Sequence, residues 1–148
     1  MKVSDCPLCD ADGGLLVFRH EKFRVIQADE AGFPAFYLVV WNTHVTEFSD
    51  LSQAERELCM NAVVALETVL RKAFSPQKMN LATLGNAVAH LHWHVIARFA
   101  WDSHFPGSVW AAQLRPVDAE KVSALAVRSA GVNKLIAEKL GARASQQE

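Results

Sequence analysis

Residues 90–99, His-Leu-His-Trp-His-Val-Ile-Ala-Arg-Phe, carry the strongest β-strand pattern in the sequence. Apolar and aromatic residues dominate it, and histidines occupy alternate positions at 90, 92 and 94. Successive side chains of a β-strand point to opposite faces. The pattern therefore predicts a strand with His90, His92 and His94 in a row on one face and with the intervening apolar residues in the core.

Three more strands are predicted upstream. The short apolar runs 15–18 and 23–26 flank a charged break, which is typical of a β-hairpin. The almost entirely apolar stretch 35–41, Ala-Phe-Tyr-Leu-Val-Val-Trp, is rich in β-formers and fits a buried central strand.

Two helices and one more strand complete the predicted elements. Ser52 and Glu55 form the S-x-x-E capping box, and apolar residues recur at helical spacing until Ser75-Pro76 ends the pattern. Residues 78–84 read as a strand, and residues 117–140 as a second helix that could break at Gly131. This order predicts an α+β fold with a central, mostly antiparallel sheet of about five strands, a long helix and a C-terminal helix.

Composition excludes several classes of protein. The 148 residues carry 15 Lys and Arg against 16 Asp and Glu, so the net charge of −1 disfavours a nucleic-acid partner. A hydrophobic share of 51% is too high for a disordered chain, and no apolar run is long enough to span a membrane. The N-terminus has no apolar signal-peptide core. We expect a soluble, cytoplasmic globular protein.

The histidine row has three interpretations from the residues alone. It could be a solvated strand face, although a central strand makes half-buried imidazoles costly unless each is hydrogen-bonded. It could be a metal site made of these three residues. It could also support nucleophilic catalysis, because a neutral imidazole attacks phosphorus well while a second histidine stabilises charge or protonates a leaving group.

The three cysteines lie in two different sequence contexts. Cys6 and Cys9 have the C-x-x-C spacing of one half of a structural zinc site, but a redox pair or a plain turn also fits. The thioredoxin-like context that a redox pair normally needs is absent. Cys59 lies in the apolar pattern of the first long helix and is expected in the core.

The segment from His90 to Ile96 resembles the signature of the histidine triad family, in which three histidines alternate with apolar residues, and Arg98 also fits. Four further segments resemble motifs of that family, in the family's order: Cys6–Cys9 (C-P-x-C), 38–44 (a strand ending in P-K-x-H), Phe48–Leu51 (F-x-D-L) and Gly85-Asn86 (Gly-Gln). The resemblance covers roughly residues 3 to 105.

The resemblance implies a HIT-like fold and nucleotide chemistry at an α-phosphate. We expect a histidine triad domain over residues 1–112, including the C-x-x-C segment. Residues 113–148 would be a helical extension and polar tail of the same domain. By resemblance, His92 is the nucleophile that forms a nucleotidyl-histidine, and His94 contacts the phosphate or the leaving group. The family also implies a homodimer.

Binding residues and metal ligands follow from the same resemblance. Gly85 and Asn86 would contact the phosphate. Asp29 would either contact a ribose hydroxyl or be a solvated turn residue. In family members that bind zinc, the ligands match Cys6, Cys9, His44 and His90 of this sequence. A Cys₂His₂ set leaves no open coordination position, so the metal would be structural. Trp101 and Trp110 are expected to pack in the core or at an interface, with stacking on a nucleobase as the alternative.

This sequence departs from the family pattern at three places. Ala87 stands where a Ser or Thr hydroxyl usually assists the leaving group, Phe36 stands where a histidine is usual, and residues 41–43 lack the Pro and Lys. These features resemble a bacterial branch related to diadenosine tetraphosphate hydrolases. The predicted function is hydrolysis of a nucleoside phosphoanhydride such as a dinucleoside polyphosphate. The alternatives are a nucleoside phosphoramidate hydrolase and a nucleotide-binding protein with little turnover.

Overall fold

The computed structural model describes residues 2–146 and contains a five-stranded sheet with strand order β1-β2-β3-β5-β4. Every neighbouring pair is antiparallel. The strands are β1 (Leu15–Arg19), β2 (Phe23–Gln27), β3 (Phe36–Trp41), β4 (Lys78–Ala82) and β5 (His92–Arg98). The α+β fold with a central antiparallel sheet is therefore confirmed, as are the hairpin and the buried central strand.

Within the described residues, three α-helices and one short 3-10 helix (Phe48–Asp50) accompany the sheet. The α-helices are α1 (Pro7–Asp10), α2 (Gln53–Phe74) and α3 (Ala119–Ala144). Ser52 caps α2 through the predicted capping box with Glu55, and the helix ends at Ser75, which adopts a left-handed conformation with φ of 48°. The break predicted at Gly131 does not occur. A Cβ at Gly131 would meet no atom within 4 Å, so this glycine lies where it only lowers helix propensity.

The two faces of the sheet have different coverings. One face, which carries Tyr37, Val39 and Val95, packs against α2 and α3 in the larger hydrophobic core. The other face carries Leu38, Val40 and Ile96, and Cys6 and Leu8 of the N-terminal segment pack against it. We call this second face the triad face, because His92 and His94 lie on it through their pairing with Val40 and Leu38.

The structure corrects the bounds of two predicted strands. β5 begins at His92, so His90 lies before the strand. The amide of His90 donates to the carbonyl oxygen of Val88 and not to a neighbouring strand. β4 ends at Ala82 rather than at residue 84. The chain turns at Gly85, whose φ of +81° only glycine adopts readily. The expected row of three histidines on one strand is thus two strand residues preceded by a third in a loop.

Helix α3 contributes Leu125, Val132, Ile136 and Leu140 to the same core as α2. A polar chain also fastens it to the sheet, since the Tyr37 hydroxyl donates to Asn133 Oδ1 (2.6 Å) and Asn133 Nδ2 donates to Gln27 (2.8 Å). The boundary at residues 112 and 113 stays a prediction. Within residues 2–146, no helix combines the length and apolarity needed to cross a bilayer.

Candidate active site and metal centre

The side chain of His92 has one ring nitrogen occupied and one available. Its Nδ1 lies 2.6 Å from the carbonyl oxygen of His90. A carbonyl oxygen only accepts, so Nδ1 carries the proton and donates it. In the neutral ring, Nε2 then keeps its lone pair, which is the protonation state that a nucleophile requires. The ring is half-buried on the triad face, with its centroid 4.9 Å from that of His94.

His94 is held in the same way but lies deeper. Its Nδ1 donates to the carbonyl oxygen of Ala82 at 3.0 Å, and its exposed fraction is only 8%. Burial lowers the pKa of His94 and outweighs the opposing effect of this hydrogen bond, and the neighbouring His92 lowers it further. The ring is therefore neutral near pH 7 when no ligand is bound. A phosphate beside it would favour the protonated, donating form.

Two aromatic residues stand against His94. The ring of Phe36 lies edge-to-face at 5.7 Å, and that of Trp110 lies edge-to-face at 4.8 Å. Phe36 is buried, whereas Trp110 is 51% exposed. Trp101 lies apart from this group and stacks on Phe99 at 5.0 Å. The two tryptophans thus have different environments, and only Trp110 contacts a triad histidine.

The loop from residue 83 to residue 91 joins β4 to His92 across the end of the triad face. Val88 packs against the triad-face cluster, and Gly85 provides the turn. Asn86 and Ala87 are exposed. Asp29 is also exposed and lies two residues beyond the end of β2. Contacts of Gly85, Asn86 and Asp29 with a ligand stay predictions.

Four residues from distant parts of the sequence form a compact Cys₂His₂ cluster: Cys6, Cys9, His44 and His90. Their ligand atoms all lie within 4.8 Å of one another. The Sγ of Cys6 lies 3.4 Å from Nδ1 of His90, and the Sγ of Cys9 lies 3.4 Å from Nδ1 of His44 and 3.6 Å from Nδ1 of His90. The cysteines and histidines predicted as ligands are thus brought together.

This cluster fits a tetrahedral zinc ion. Zn–S bonds of about 2.3 Å and Zn–N bonds of about 2.0–2.1 Å put neighbouring sulfur and nitrogen ligands about 3.6 Å apart, close to the observed separations. The Nε2 of His90 lies 2.7 Å from the carbonyl oxygen of Trp41 and donates to it. The lone pair of His90 Nδ1 therefore faces the cysteines. A ligating histidine whose other nitrogen is held by a carbonyl is the usual arrangement at protein metal sites.

Two buried arginines near the site had no role assigned from the sequence, although Arg98 fits the family signature. Arg24 is 4% exposed and donates to backbone carbonyls of the N-terminal segment, including that of Leu8 at 2.7 Å. Arg98 is 1% exposed and forms a two-pronged ion pair with Asp102, at 2.8 and 3.0 Å. In both cases, the sequence signal that could have identified a buried ion was a charged residue within an apolar strand. Their partners Leu8 and Asp102 lie in a four-residue helix and in a loop, neither of which periodicity predicts.

The Arg98–Asp102 pair organises the loop that carries Trp110. Arg98 also donates to Asn80 Oδ1 and to the carbonyl oxygen of Gly107, both at 2.8 Å. Asp102 accepts the amides of His104 (3.0 Å) and Phe105 (2.7 Å). The pair thus ties the segment after β5 back onto β4 and β5, next to His94.

Comparison with known proteins places these features in a family. A family model described as "HIT domain" matches residues 13–101. The chain is similar to solved structures of histidine triad proteins from Bradyrhizobium japonicum (26% identity, TM-score 0.64, covering 79% of this chain and 88% of that one) and Sinorhizobium meliloti (25%, 0.64, 79% and 87%). A histidine triad protein from Marinobacter aquaeolei shares the fold (23%, 0.67, 85% and 93%). No curated protein matches the chain.

The matched family segment contains all five strands, α2 and the three triad histidines. The open antiparallel sheet agrees with the solved structures of histidine triad proteins over most of this chain. On these grounds, the chain belongs to the HIT domain family, the histidine triad proteins.

Proposed function

We propose that this protein is a nucleotide hydrolase that works through a nucleotidyl-histidine intermediate on His92. The observation that carries the proposal is the hydrogen bond from His92 Nδ1 to the His90 carbonyl oxygen, because it leaves Nε2 as a free lone pair on the triad face. The family context is also consistent, since histidine triad proteins generally hydrolyse or transfer nucleotides.

The reaction takes place in two displacements. The Nε2 lone pair of His92 attacks the α-phosphorus, the P–N bond forms, and the bond from phosphorus to the leaving group breaks with its electron pair on the leaving group. Water then attacks the same phosphorus and loses a proton. The P–N bond breaks, which releases a nucleoside monophosphate and restores the imidazole.

Other residues bind and orient the phosphate. His94 lies beside the nucleophile, and the phosphate's charge would favour its protonated form, which can donate to a phosphoryl oxygen. Gly85 and Asn86 are proposed to contact the phosphate from the loop before the triad. Asp29 is proposed to accept from a ribose hydroxyl.

The residues near the phosphate limit which type of leaving group can depart. Ala87 has no side-chain donor that could protonate or hydrogen-bond a leaving group. A phosphate-type leaving group departs as a stable anion, whereas an amine needs a proton. The site therefore favours a phosphoanhydride, such as a dinucleoside polyphosphate, over a phosphoramidate. This preference agrees with a relation to the bacterial diadenosine tetraphosphate hydrolase-like branch.

We propose a structural role for the Cys₂His₂ cluster as a zinc site. Zinc bound there would have four protein ligands and would provide rigidity at His90. Cys6 and Cys9 would join the N-terminal segment to His44 and His90. The same contacts would hold the carbonyl oxygen of His90, which accepts a hydrogen bond from His92 Nδ1.

We also propose the state in which the protein acts. Residues 1–112 and 113–148 would form one domain, and two copies would associate as a homodimer in the cytoplasm. β4 is an edge strand with an exposed Leu81, and it can pair with another strand. Analytical ultracentrifugation of the full chain tests the dimer, and a purely monomeric protein would contradict it.

A second function, nucleotide binding with little turnover, is favoured by the absence of two family helpers. Ala87 and Phe36 replace a hydroxyl and a histidine while His92 remains intact. The two proposals predict the same ligand but differ in whether a covalent intermediate forms and breaks down.

Trapping the intermediate separates the two proposals. The protein is mixed with a dinucleoside polyphosphate or an adenosine phosphoramidate labelled at the α-phosphate, and the reaction is quenched with denaturant at alkaline pH. We expect label on His92, found by peptide mass spectrometry, and steady release of nucleoside monophosphate. Saturable binding without label or release would overturn the enzyme proposal and support the binding protein.

A further inference from the structure

We propose that Arg24 is a positioning residue that holds the Cys6–Cys9 turn against the sheet and so shapes the metal site before any metal binds. The inference deepens the proposed zinc site and rests on it for its role. We call the hydrogen bonds made by the side chains of Arg24 and Asn42 the clasp. These contacts lie within the protein and do not involve the metal.

The guanidinium of Arg24 binds backbone carbonyls at the C-terminal end of α1 and just beyond it. It donates to the carbonyl oxygens of Leu8 at 2.7 Å, Asp12 at 3.1 Å and Ala11 at 3.2 Å. Helix α1 has only four residues, which is too short to be stable by itself. Its C-terminal carbonyls have few helical partners, so the planar fork of an arginine satisfies several of them at once.

Asn42 extends the clasp to the segment that carries His44. Its Oδ1 accepts from Arg24 at 3.3 Å, while its Nδ2 donates to the carbonyl oxygens of His20 at 2.8 Å and Glu21 at 3.0 Å. Arg24 and Asn42 therefore connect the cysteine turn, the β1–β2 turn and the end of β3. Asn42 stands where the family motif usually has lysine, so this pairing is a feature of the present chain.

The burial of Arg24 explains why its guanidinium needs several partners. A guanidinium that is 4% exposed needs nearby acceptors and counter-charges. The Asp12 carboxylate lies 3.8 Å from its Nε. Together with the three backbone carbonyls, this carboxylate offsets the cost of burying the guanidinium, so the position of the N-terminal turn depends on Arg24.

A continuous set of contacts links Arg24 to the nucleophile. Arg24 holds the turn that carries Cys6, the Sγ of Cys6 lies 3.4 Å from His90 Nδ1, and the His90 carbonyl oxygen accepts from His92. Arg24 and His92 also lie in register on the triad face, both opposite Val40. Loss of the clasp should therefore loosen the metal site first and the orientation of His92 second.

The test compares Arg24→Lys and Arg24→Met with Arg71→Met in the full-length protein. Arg71 is a suitable control because its side chain is exposed in the last turn of α2 and makes no contact with the clasp. Zinc affinity is measured by competition with a chromophoric chelator. We expect Arg24→Met to weaken zinc binding about 10- to 100-fold, which is typical when a residue supporting a ligand is lost. The zinc affinity of Arg24→Lys should lie between those of Arg24→Met and the wild type, because one ammonium cannot reach all three carbonyls. Arg71→Met should match the wild type.

Amide hydrogen exchange of the metal-free proteins supplies a readout that does not depend on zinc. We expect residues 8–12 to be protected in the metal-free wild type and to lose protection in Arg24→Met, while α2 stays protected. The cobalt-substituted proteins add a spectroscopic readout, in which Arg24→Met should alter the ligand-field bands of the tetrahedral site.

Unchanged zinc affinity together with unchanged exchange in Arg24→Met would overturn the proposal. A wild-type protein that binds no zinc would refute the zinc site alone, and the exchange comparison would still decide the clasp. If Arg24→Met does not fold, the same measurements on Arg24→Lys and Asn42→Ala apply. Wild-type affinity and exchange in both of these variants would contradict the inference.

Discussion

The Nδ1–H group of His92 donates a 2.6 Å hydrogen bond to the carbonyl oxygen of His90. The side chain of the same His90 faces Cys6 and Cys9 across 3.4 and 3.6 Å. One residue therefore belongs to both parts of the site. Its ring completes the metal cluster, and its backbone sets the tautomer of the proposed nucleophile.

Replacement of that nucleophile should abolish the chemistry and preserve the fold. His92→Ala removes the Nε2 atom that forms the P–N bond, so turnover should fall by on the order of 10⁴- to 10⁶-fold and no label should be trapped. Steady-state release of nucleoside monophosphate measures this. His20→Ala, which changes a histidine in the β1–β2 turn, should keep wild-type turnover. Trapping of label in His92→Ala would refute the assignment.

Metal content should depend on the clustered cysteines and not on Cys59. Elemental analysis of the wild type should give about one zinc per chain, and Cys9→Ser should lose it because a hydroxyl is a poor zinc ligand. The melting temperature of Cys9→Ser should fall, since a metal that binds only the folded state stabilises it.

The matched control for the cysteine variants is Cys59→Ala. Cys59 lies in the core, and burial raises the pKa of its thiol to about 11. The variant should lose roughly 1 kcal/mol of stability from lost packing yet retain full zinc content. Equal zinc content in Cys9→Ser and Cys59→Ala would exclude Cys9 as a ligand.

Restoring a hydroxyl beside the phosphate loop should change the choice of substrate. Ala87 is exposed, so Ala87→Ser adds a donor without disturbing packing. A phosphoramidate needs its leaving group protonated more than an anhydride does. We expect the kcat/KM ratio of phosphoramidate to anhydride to rise about 10-fold or more. An unchanged ratio would show that residue 87 does not act on the leaving group, and Ala89→Ser in the same loop serves as the control.

The stability of the fold should decrease below about pH 6.5 partly because of His94. Burial lowers the pKa of His94 in the folded state, whereas the unfolded chain has the ordinary value of about 6.5. The unfolded state therefore binds more protons as pH falls below 6.5, and the unfolding free energy decreases until the folded pKa is passed. Urea denaturation at several pH values measures this.

Trp110 should control the pH response of His94. Trp110→Ala lets water reach the imidazole, so the pKa of His94 should rise towards its ordinary value and the acid-induced loss should shrink. NMR titration of the ring protons follows this directly. Trp101→Ala is the control, because Trp101 stacks on Phe99. An identical His94 titration in wild type and Trp110→Ala would contradict the prediction.

Breaking the buried Arg98–Asp102 pair should be costly. Asp102→Ala leaves the guanidinium of Arg98 buried without its carboxylate, a change that typically costs about 3–5 kcal/mol of unfolding free energy. Asp118→Asn is the comparison, because Asp118 pairs with Lys121 on the surface and asparagine keeps the helix cap. That variant should lose less than about 1 kcal/mol. Similar losses in the two variants would show that burial of Arg98 is not decisive.

Local patterns in the sequence were sufficient for most of the elements. The hairpin 15–26, the strand ending at Trp41 and the capped helix after Ser52 all depend on residues a few positions apart, whose periodicity and capping act within the element. The histidine alternation identified β5 and the family. The cysteine spacing, together with the family resemblance, identified the ligand set that the structure brings together.

The contacts that join these elements could not be predicted from local patterns and are seen only in the folded chain. His90 lies outside β5, α3 passes Gly131 unbroken, and Arg24 binds the turn of the cysteines. The sulfur of Cys6 meets His90 from 84 positions away along the chain. A run of neighbouring residues determines its own backbone preference. Distances between remote residues depend instead on how loops pack onto the sheet and on which buried polar groups find partners there.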